Sequence, residues 1–220
     1  MKLLHRLSEL FFPPKCVLCG GLLQKEEMDL CRSCRTETEE APFPREKHTY
    51  LDRWTSLWYY DGSVRLSILK FKFYGARSYA ASYGRLLAMK LVRDEMDDFD
   101  ILTWVPISPL RRWRRGYDQV ELIALSAGRE LGVQPTALLK KVRHVPPQSG
   151  ISGEAERRAN VLGAYRVKDP AAVKGKRILL MDDVITTGAT AGECARVLLT
   201  AGASQVHLGA VAAARHHDKK

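Results

Sequence analysis

Two neighbouring carboxylates and a threonine-rich loop are residues of this chain that could do chemistry together. Asp182 and Asp183 follow four apolar residues, 178–181, and precede a loop with three threonines around Gly188. Four apolar residues in a row are typical of a strand buried on both faces of a parallel sheet. Residues 189–201 have helical spacing, and Gly202 would end that helix. The segment therefore predicts a buried strand, an acidic pair, a hydroxyl-rich loop and a helix.

The loop after the acids has the features of a phosphate-binding site. A loop that opens a helix offers free backbone N–H groups and the positive end of the helix dipole. Gly188 lets the backbone approach an anion closely, and the threonines add hydroxyl donors. The predicted phosphate-binding residues are Thr186, Thr187, Gly188, Ala189 and Thr190.

The two acids need a partner other than phosphate, because a carboxylate cannot bind that anion directly. Two vicinal sugar hydroxyls or a hydrated cation would suit Asp182 and Asp183, and a phosphate close to a diol describes a ribose 5-phosphate. The loop lacks the Lys-Ser/Thr pair of a Walker loop and is not a GxGxxG dinucleotide loop. An ordinary strand–turn–helix is the alternative, but it gives no reason for two acids directly after a buried strand.

Residues 178–190 resemble the signature of type I phosphoribosyltransferases, which bind 5-phosphoribosyl 1-pyrophosphate (PRPP). The resemblance lies in the order of four apolar residues, two acids, two apolar residues and Thr-Thr-Gly-x-Thr. It agrees with the partners that the acids and the loop require on chemical grounds, a diol and a phosphate.

Four of the five cysteines form two CxxC pairs separated by eleven residues. Each CxxC can fold as a tight knuckle with two thiolates, and two knuckles complete the tetrahedron of a structural zinc site. The alternatives are two disulfides, which a cytosolic chain disfavours, and a redox CxxC, which two copies at this spacing argue against. The predicted zinc ligands are Cys16, Cys19, Cys31 and Cys34, whereas Cys194 is predicted to be a packed core residue.

The charge of the chain indicates an anionic partner. Its 220 residues include 35 Lys and Arg against 25 Asp and Glu, which gives a formal net charge of +10. That excess favours a polyphosphate or a nucleic acid, and PRPP would account for part of it. No apolar run approaches the ~20 residues that a membrane-spanning helix needs, and we interpret residues 1–12 as a docking helix. We therefore expect a cytosolic protein without a membrane span.

The rest of the sequence alternates strand-like and helix-like segments. Strands are predicted over residues 54–60, 100–105, 165–167 and 206–211, and helices over residues 76–92 and 118–131. The Asp61-Gly62 dipeptide after the first of these strands predicts a hairpin turn. Polar residues 36–53, including His48, are interpreted as a solvated linker between the cysteine module and the main domain.

Two further segments bring arginines. Residues 110–117 hold four arginines around Trp113, which could stack on a nucleic-acid base or clamp a pyrophosphate with guanidinium forks. Their position in a loop that leaves a strand favours pyrophosphate. Residues 144–153 are rich in Pro, Gly and Ser and lead to a helical turn with Arg157 and Arg158. We interpret them either as a lid that closes over the ligand or as a surface loop.

The order of motifs along nearly the whole chain resembles the ComF family of competence-associated, phosphoribosyltransferase-like proteins. A four-cysteine ribbon is followed by Lys72-Phe73-x-Gly75, Val105-Pro106, Arg111-x-x-x-Arg115-Gly116-Tyr117-x-Gln119, Gln148-x-x-Ile151, Arg157-x-x-Asn160 and Gly163-Ala164-Tyr165. The resemblance implies an α/β protein with a Rossmann-like type I phosphoribosyltransferase fold and a small N-terminal zinc ribbon. We expect a helix and the ribbon over residues 1–40 and the phosphoribosyltransferase-like domain over residues 54–220. Asp118 stands where the family usually has Asn.

The resemblance also implies the roles of the site residues. Asp182 and Asp183 would hold the ribose hydroxyls at the catalytic centre, and residues 186–190 would bind the 5-phosphate. A magnesium ion, which prefers oxygen ligands shared with the substrate, would accompany the pyrophosphate. The residues implied to bind that pyrophosphate or another part of PRPP are Pro106, Ile107, Ser108, Arg115, Lys72 and Arg157.

Two functions are compatible with these residues. In the first, a nitrogen nucleophile displaces pyrophosphate at the anomeric carbon, and electrostatics stabilise the oxocarbenium-like charge without a covalent enzyme intermediate. In the second, the chain is a non-catalytic PRPP-binding accessory protein of DNA uptake that contacts single-stranded DNA or competence proteins. The intact acidic pair favours the first, while the charge of +10 and the arginine–tryptophan segment leave the second open. No motif identifies the nitrogen acceptor.

Overall fold

Parallel strands form the sheet on which the described part of the chain is built. The computed structural model describes residues 13–44, 48–143 and 154–215. The strands in these ranges are β1 (Arg53–Tyr59), β2 (Ile101–Trp104), β3 (Leu139–Lys141), β4 (Tyr165–Val167), β5 (Arg177–Ile185) and β6 (Gln205–Ala213). The main sheet has the order β1-β6-β5-β2 with parallel pairing throughout, and β3 and β4 form a separate antiparallel ribbon.

Helices cover both faces of this sheet. Those in the described ranges are α1 (Arg32–Glu37), α2 (Gly62–Phe73), α3 (Tyr79–Arg93), α4 (Pro109–Arg115), α5 (Gln119–Glu130), α6 (Glu154–Val161), α7 (Pro170–Val173) and α8 (Ala189–Thr200). Among the described residues, no helix combines the length and the apolar character needed to cross a bilayer. The helix predicted over residues 1–12, the lid segment 144–153 and the tail 216–220 lie outside the described residues.

The central strand β5 is buried on both faces, as its apolar sequence predicts. Successive side chains of a strand point to opposite faces of the sheet. Leu179 and Met181 pack into a core shared with α2, α3 and α5. Ile178 and Leu180 pack into a second core shared with α8 and the β3–β4 ribbon, where Cys194 is fully buried as predicted. Helices on both faces therefore account for the run of apolar residues.

Two expectations about the strands are wrong. The hairpin predicted at Asp61-Gly62 does not form, because α2 begins at Gly62 and β1 pairs with β6 in parallel. The buried residues Val64, Ile68 and Phe71 have helical spacing, which explains why this segment is a helix. In addition, β5 does not end before the acids but continues in register with β6 up to Ile185.

Candidate ligand and metal sites

A cavity of about 670 Å³ opens at the carboxyl ends of the parallel strands, the usual position of ligands in such sheets. Its walls include the predicted site residues Lys72, Pro106, Ile107, Arg115, Arg157, Asp182, Asp183, Thr186 and Thr190. The structure thus brings both acids, both ends of the threonine loop and several cations to one space. The predicted residues that do not line the cavity are Ser108, Thr187, Gly188 and Ala189.

Asp183 contacts a cation and an amide on the α2 and α5 face of the sheet. The Nζ atom of Lys72 lies 2.8 Å from Asp183 Oδ1, and Gln119 Nε2 donates a hydrogen bond of 2.7 Å to Asp183 Oδ2. Arg115 in turn donates to the side-chain oxygen of Gln119. Lys72 therefore compensates the charge of Asp183, and Arg115 orients the Gln119 side chain that holds the Asp183 carboxylate.

Asp182 points to the other face of β5 and has a different environment. Its Oδ1 accepts a hydrogen bond of 2.8 Å from the backbone N–H of Asp183, and the residue is buried. Burial, followed by the nearby negative charge of Asp183, raises the pKa of Asp182 to about 8. The two acids reach the same cavity from opposite faces of the strand, and Asp183 alone is paired with a lysine.

The threonine loop turns at Gly188, whose φ of 70° lies in the left-handed region that favours glycine. The N–H of Ala189 is 3.4 Å from Thr187 Oγ1, so this hydroxyl supports the loop from within. The ring of His48 contacts Gly188, and its Cε1 lies 2.6 Å from where a Cβ of Gly192 would be. The sequence predicts a solvated linker at His48, but the structure packs its ring against the first turn of α8.

The loop of residues 105–108 is fixed by Asp118. One oxygen of Asp118 accepts from two N–H groups in the first turn of α5, and the other accepts a 3.1 Å hydrogen bond from the N–H of Ile107. Burial raises the pKa of Asp118. Both carboxyl oxygens are thus used, whereas an Asn would offer a single acceptor oxygen. Ser108 accepts from the N–H of Arg111 and caps α4, which explains why its side chain is not in the cavity.

The arginine–tryptophan segment forms helix α4, although the sequence predicted a loop. Helical spacing places residues three and four apart on one face, and the arginines that line the cavity are Arg111, Arg114 and Arg115. Arg112 instead pairs with Glu121 at 3.1 Å. The side chain of Trp113 is 80% exposed. One helix therefore presents guanidinium groups to the cavity and an aromatic ring to solvent.

Lys141 and Tyr165 also line this cavity, although no motif of the sequence indicates it. They lie directly opposite each other in the antiparallel β3–β4 ribbon. The prediction of a strand at residues 165–167 is confirmed, but its partner β3 was not predicted. β3 consists of one leucine and two lysines, so its sequence shows no apolar alternation that would mark a strand.

The four cysteines of the two CxxC pairs converge as a metal site requires. The Sγ atoms of Cys16, Cys19, Cys31 and Cys34 all lie within 4.8 Å of one another. The Sγ atoms of Cys19 and Cys31 are 3.8 Å apart, which matches the edge of about 3.8 Å in a tetrahedron with Zn–S distances of about 2.3 Å. Four thiolates without an open position correspond to a structural zinc site.

The cysteine module packs directly on the sheet domain. Cys16, Val17 and Leu18 belong to the same buried core as Ile68 and Phe71 of α2. The Ser67 hydroxyl also donates to the carbonyl of Val17. The zinc ligands are therefore anchored to the helix that ends near the cavity.

Models of two protein families match this chain. A phosphoribosyl transferase domain model matches residues 123–220, and a double zinc ribbon domain model matches residues 7–45. With the parallel sheet and the four-cysteine cluster, these matches define the class. The chain has a type I phosphoribosyltransferase fold with an N-terminal zinc ribbon, as predicted.

Three relatives resemble the chain over most of their length. Competence protein F of Haemophilus influenzae is 27% identical over 231 residues, 93% of this chain and 99% of that protein. The DNA utilization protein YhgH of Escherichia coli (strain K12) is 27% identical over 202 residues, 88% of this chain and 87% of that protein. Competence protein ComFC of Streptococcus pneumoniae is 26% identical over 223 residues, 87% of this chain and 96% of that protein. The resemblance to the ComF family is confirmed.

Proposed function

We propose that this chain binds PRPP and transfers its ribose 5-phosphate to a nitrogen nucleophile with release of pyrophosphate. One observation carries the proposal: Asp182 and Asp183 near the end of β5, and Thr186 and Thr190 of the threonine loop that follows, line one cavity. Carboxylates suit the ribose diol, and a helix-opening loop suits the 5-phosphate. In this proposal the N-terminal helix and zinc ribbon occupy residues 1–40, and the transferase domain occupies residues 54–220. We also propose that the protein is cytosolic.

The two acids act on the ribose. When the diol binds, Asp183 exchanges a contact with Lys72 or Gln119 for a ribose hydroxyl. The ammonium of Lys72 is then placed to contact the pyrophosphate, which is the leaving group. Asp182 accepts the second hydroxyl as an ionised carboxylate, so binding of the diol competes with the proton that its raised pKa retains.

The cationic wall acts on pyrophosphate. Arg115 and the loop of residues 106–108 bind it, and Arg157 of α6 lies at the same cavity. The bond between the anomeric carbon and the pyrophosphate oxygen breaks with its electron pair on pyrophosphate. The developing anion is stabilised by these fixed cations, and the oxocarbenium-like positive charge lies beside the two carboxylates.

The residues of the cavity fit magnesium as well as PRPP. Magnesium is usually held by one or two carboxylates together with phosphates of the substrate, and Asp182 and Asp183 are carboxylates at the wall of this cavity. When bound, the ion would neutralise part of the pyrophosphate charge. The protein itself supplies the acids, the loop and the arginines that orient the two ends of the ligand.

The test is pyrophosphate release from PRPP and magnesium, screened over nucleobases and ammonia. We expect one class of acceptor to support release, and we expect Asp182→Asn and Asp183→Asn to lose it. Asp97→Asn removes an exposed carboxylate and should leave release unchanged. Binding of PRPP without release for any acceptor would reject the transfer reaction and retain a PRPP-binding protein.

The exposed face of α4 favours a second candidate, a PRPP-binding accessory protein that contacts single-stranded DNA. Trp113 is 80% exposed on a helix with four arginines, and base stacking on such a ring is a common mode of single-strand binding. Two of the relatives are named competence proteins and a third is named a DNA utilization protein. A role in competence is compatible with either candidate.

A further inference from the structure

A lysine and a tyrosine form a pair on the β3–β4 ribbon at the wall of the cavity. Lys141 and Tyr165 are directly opposite in the antiparallel register, so their side chains share one face. Lys141 Nζ donates a hydrogen bond of 3.0 Å to the Tyr165 hydroxyl and lies 4.9 Å from the centre of its ring. Both residues line the cavity together with Asp182 and Thr190.

The ammonium of Lys141 lacks a counter-ion in the part of the chain that the structure describes. No described carboxylate is within ion-pair distance of Lys141, and Asp182 acts on it only at longer range. Burial, and then the positive charge of Arg111, lower the pKa of Lys141. A cation that is partly removed from water and faces another cation is unfavourable by itself. An anion in the cavity would relieve both effects.

Tyr165 extends the donor set of this pair. Burial strongly raises the pKa of Tyr165, so the phenol keeps its proton. Its oxygen accepts from Lys141, and its own proton has no acceptor in the described ranges. A protonated lysine has three donors and no acceptor. The pair therefore presents N–H and O–H donors to the cavity, which suits an anion with several acceptor oxygens.

We propose that Lys141 and Tyr165 belong to one of the phosphate subsites of this cavity, in which the lysine binds a phosphate oxygen and the tyrosine positions the lysine. This inference rests on the proposed function, because it assigns the pair to a phosphoribosyl ligand. The phosphate is either the 5-phosphate or the pyrophosphate of that ligand. Ribose 5-phosphate and inorganic pyrophosphate are separate probes of the two possibilities.

The experiment is calorimetric titration of ribose 5-phosphate and of inorganic pyrophosphate into wild type, Lys141→Met, Tyr165→Phe and Lys140→Met. Lys140→Met is the matched control, because Lys140 is an exposed neighbour on the same strand and the substitution removes the same charge. Loss of a charge-assisted hydrogen bond should weaken one of the two probes about 10- to 150-fold in Lys141→Met. Tyr165→Phe keeps the ring and loses the hydroxyl, so it should weaken the same probe by a smaller factor, roughly 2- to 12-fold.

Thermal unfolding separates binding from a structural role. If Lys141 binds an anion, Lys141→Met should unfold at the same or a higher temperature than wild type without ligand, because a half-buried cation without a counter-ion has been removed. Equal affinities of wild type and Lys141→Met for both probes would overturn the subsite and leave the PRPP proposal intact. Failure of wild type to bind either probe would overturn both.

Discussion

Lys72 Nζ and Asp183 Oδ1 are 2.8 Å apart, and this ion pair joins the last turn of α2 to the carboxyl end of β5. The same helix contacts the cysteine module, because the Ser67 hydroxyl donates to the carbonyl of Val17. The middle of α2 thus packs on the cysteine module, and its last turn contacts the candidate site.

Lys72→Met should destabilise the protein, because it leaves the carboxylate of Asp183 buried without its cation. The side chains of Lys72 and Asp183 are 19% and 8% exposed, and removing one partner of such a pair should cost about 1–3 kcal/mol. Urea unfolding followed by tryptophan fluorescence measures this loss. Lys70→Met removes an exposed lysine from the same turn and should have little effect. An unchanged midpoint in Lys72→Met would show that Gln119 alone suffices for Asp183.

The cysteine cluster should hold about one zinc ion per chain. Elemental analysis of freshly purified, reduced protein measures the zinc content, and Cys16→Ser should lower it. Because Cys16 and Ile68 share one core, loss of zinc should also lower the unfolding temperature of the sheet domain. Cys194→Ser, which alters the fifth cysteine away from the cluster, should keep its zinc. Absence of zinc from the wild type would contradict the site.

Asp182→Asn should stabilise the ligand-free protein at alkaline pH. The pKa of Asp182 is about 8 in the folded protein against an ordinary value of 3.8, so the folded state keeps a proton that the unfolded state loses between these values. Wild type therefore loses stability relative to Asp182→Asn as the pH rises through that window. We expect the stability difference in favour of the variant to grow from pH 4 to pH 8 and then to level off, as measured by urea unfolding from pH 4 to pH 9.

The same substitution should weaken PRPP binding, since the neutral amide replaces a charged acceptor of a ribose hydroxyl. A loss of roughly 10- to 150-fold is expected from a charge-assisted hydrogen bond. Asp97→Asn is the control for both measurements because its carboxylate is exposed. A variant that is more stable and binds PRPP as tightly as wild type would contradict the ribose assignment.

Several parts of the fold could be predicted because their signals are local. The apolar run of β5, the spacing of the CxxC pairs and the glycine that ends α8 each lie within one segment. The predicted bounds of α8, residues 189–201, agree with Ala189–Thr200. The hairpin predicted at Asp61-Gly62 is wrong because the apolar residues after this dipeptide have helical spacing and are buried on one face of α2.

Other parts of the site depend on contacts between distant segments. His48 packs on Gly188 from a polar stretch that has no periodicity. Lys141 reaches the cavity because it lies opposite Tyr165 in the β3–β4 ribbon. The register of such a short ribbon cannot be recognised in the sequence. Arg112 is separated from the other arginines by the helical geometry of residues 109–115, a segment that the sequence predicts to be a loop.

The two faces of α4 allow the two candidate functions to be tested independently. Trp113 is 80% exposed, whereas Arg111 and Arg114 line the cavity. If the helix serves single-stranded DNA, Trp113→Ala should remove a stacking contact and weaken strand binding roughly 5- to 150-fold, without changing PRPP affinity. An Arg111→Ala/Arg114→Ala variant should weaken PRPP binding, because it removes guanidinium groups from the cavity wall.

Paired titrations of PRPP and an oligonucleotide at one salt concentration measure both effects, since strand affinity varies strongly with salt. Trp104→Phe, a conservative change of a buried tryptophan in β2, is the control for loss of a tryptophan away from the surface and should leave strand binding unchanged. Strand binding that is equal in wild type and Trp113→Ala would reject a DNA contact at this ring. Loss of strand binding only in the double arginine variant would instead place the DNA at the cavity, in competition with PRPP, and excess PRPP should then displace the oligonucleotide from wild type.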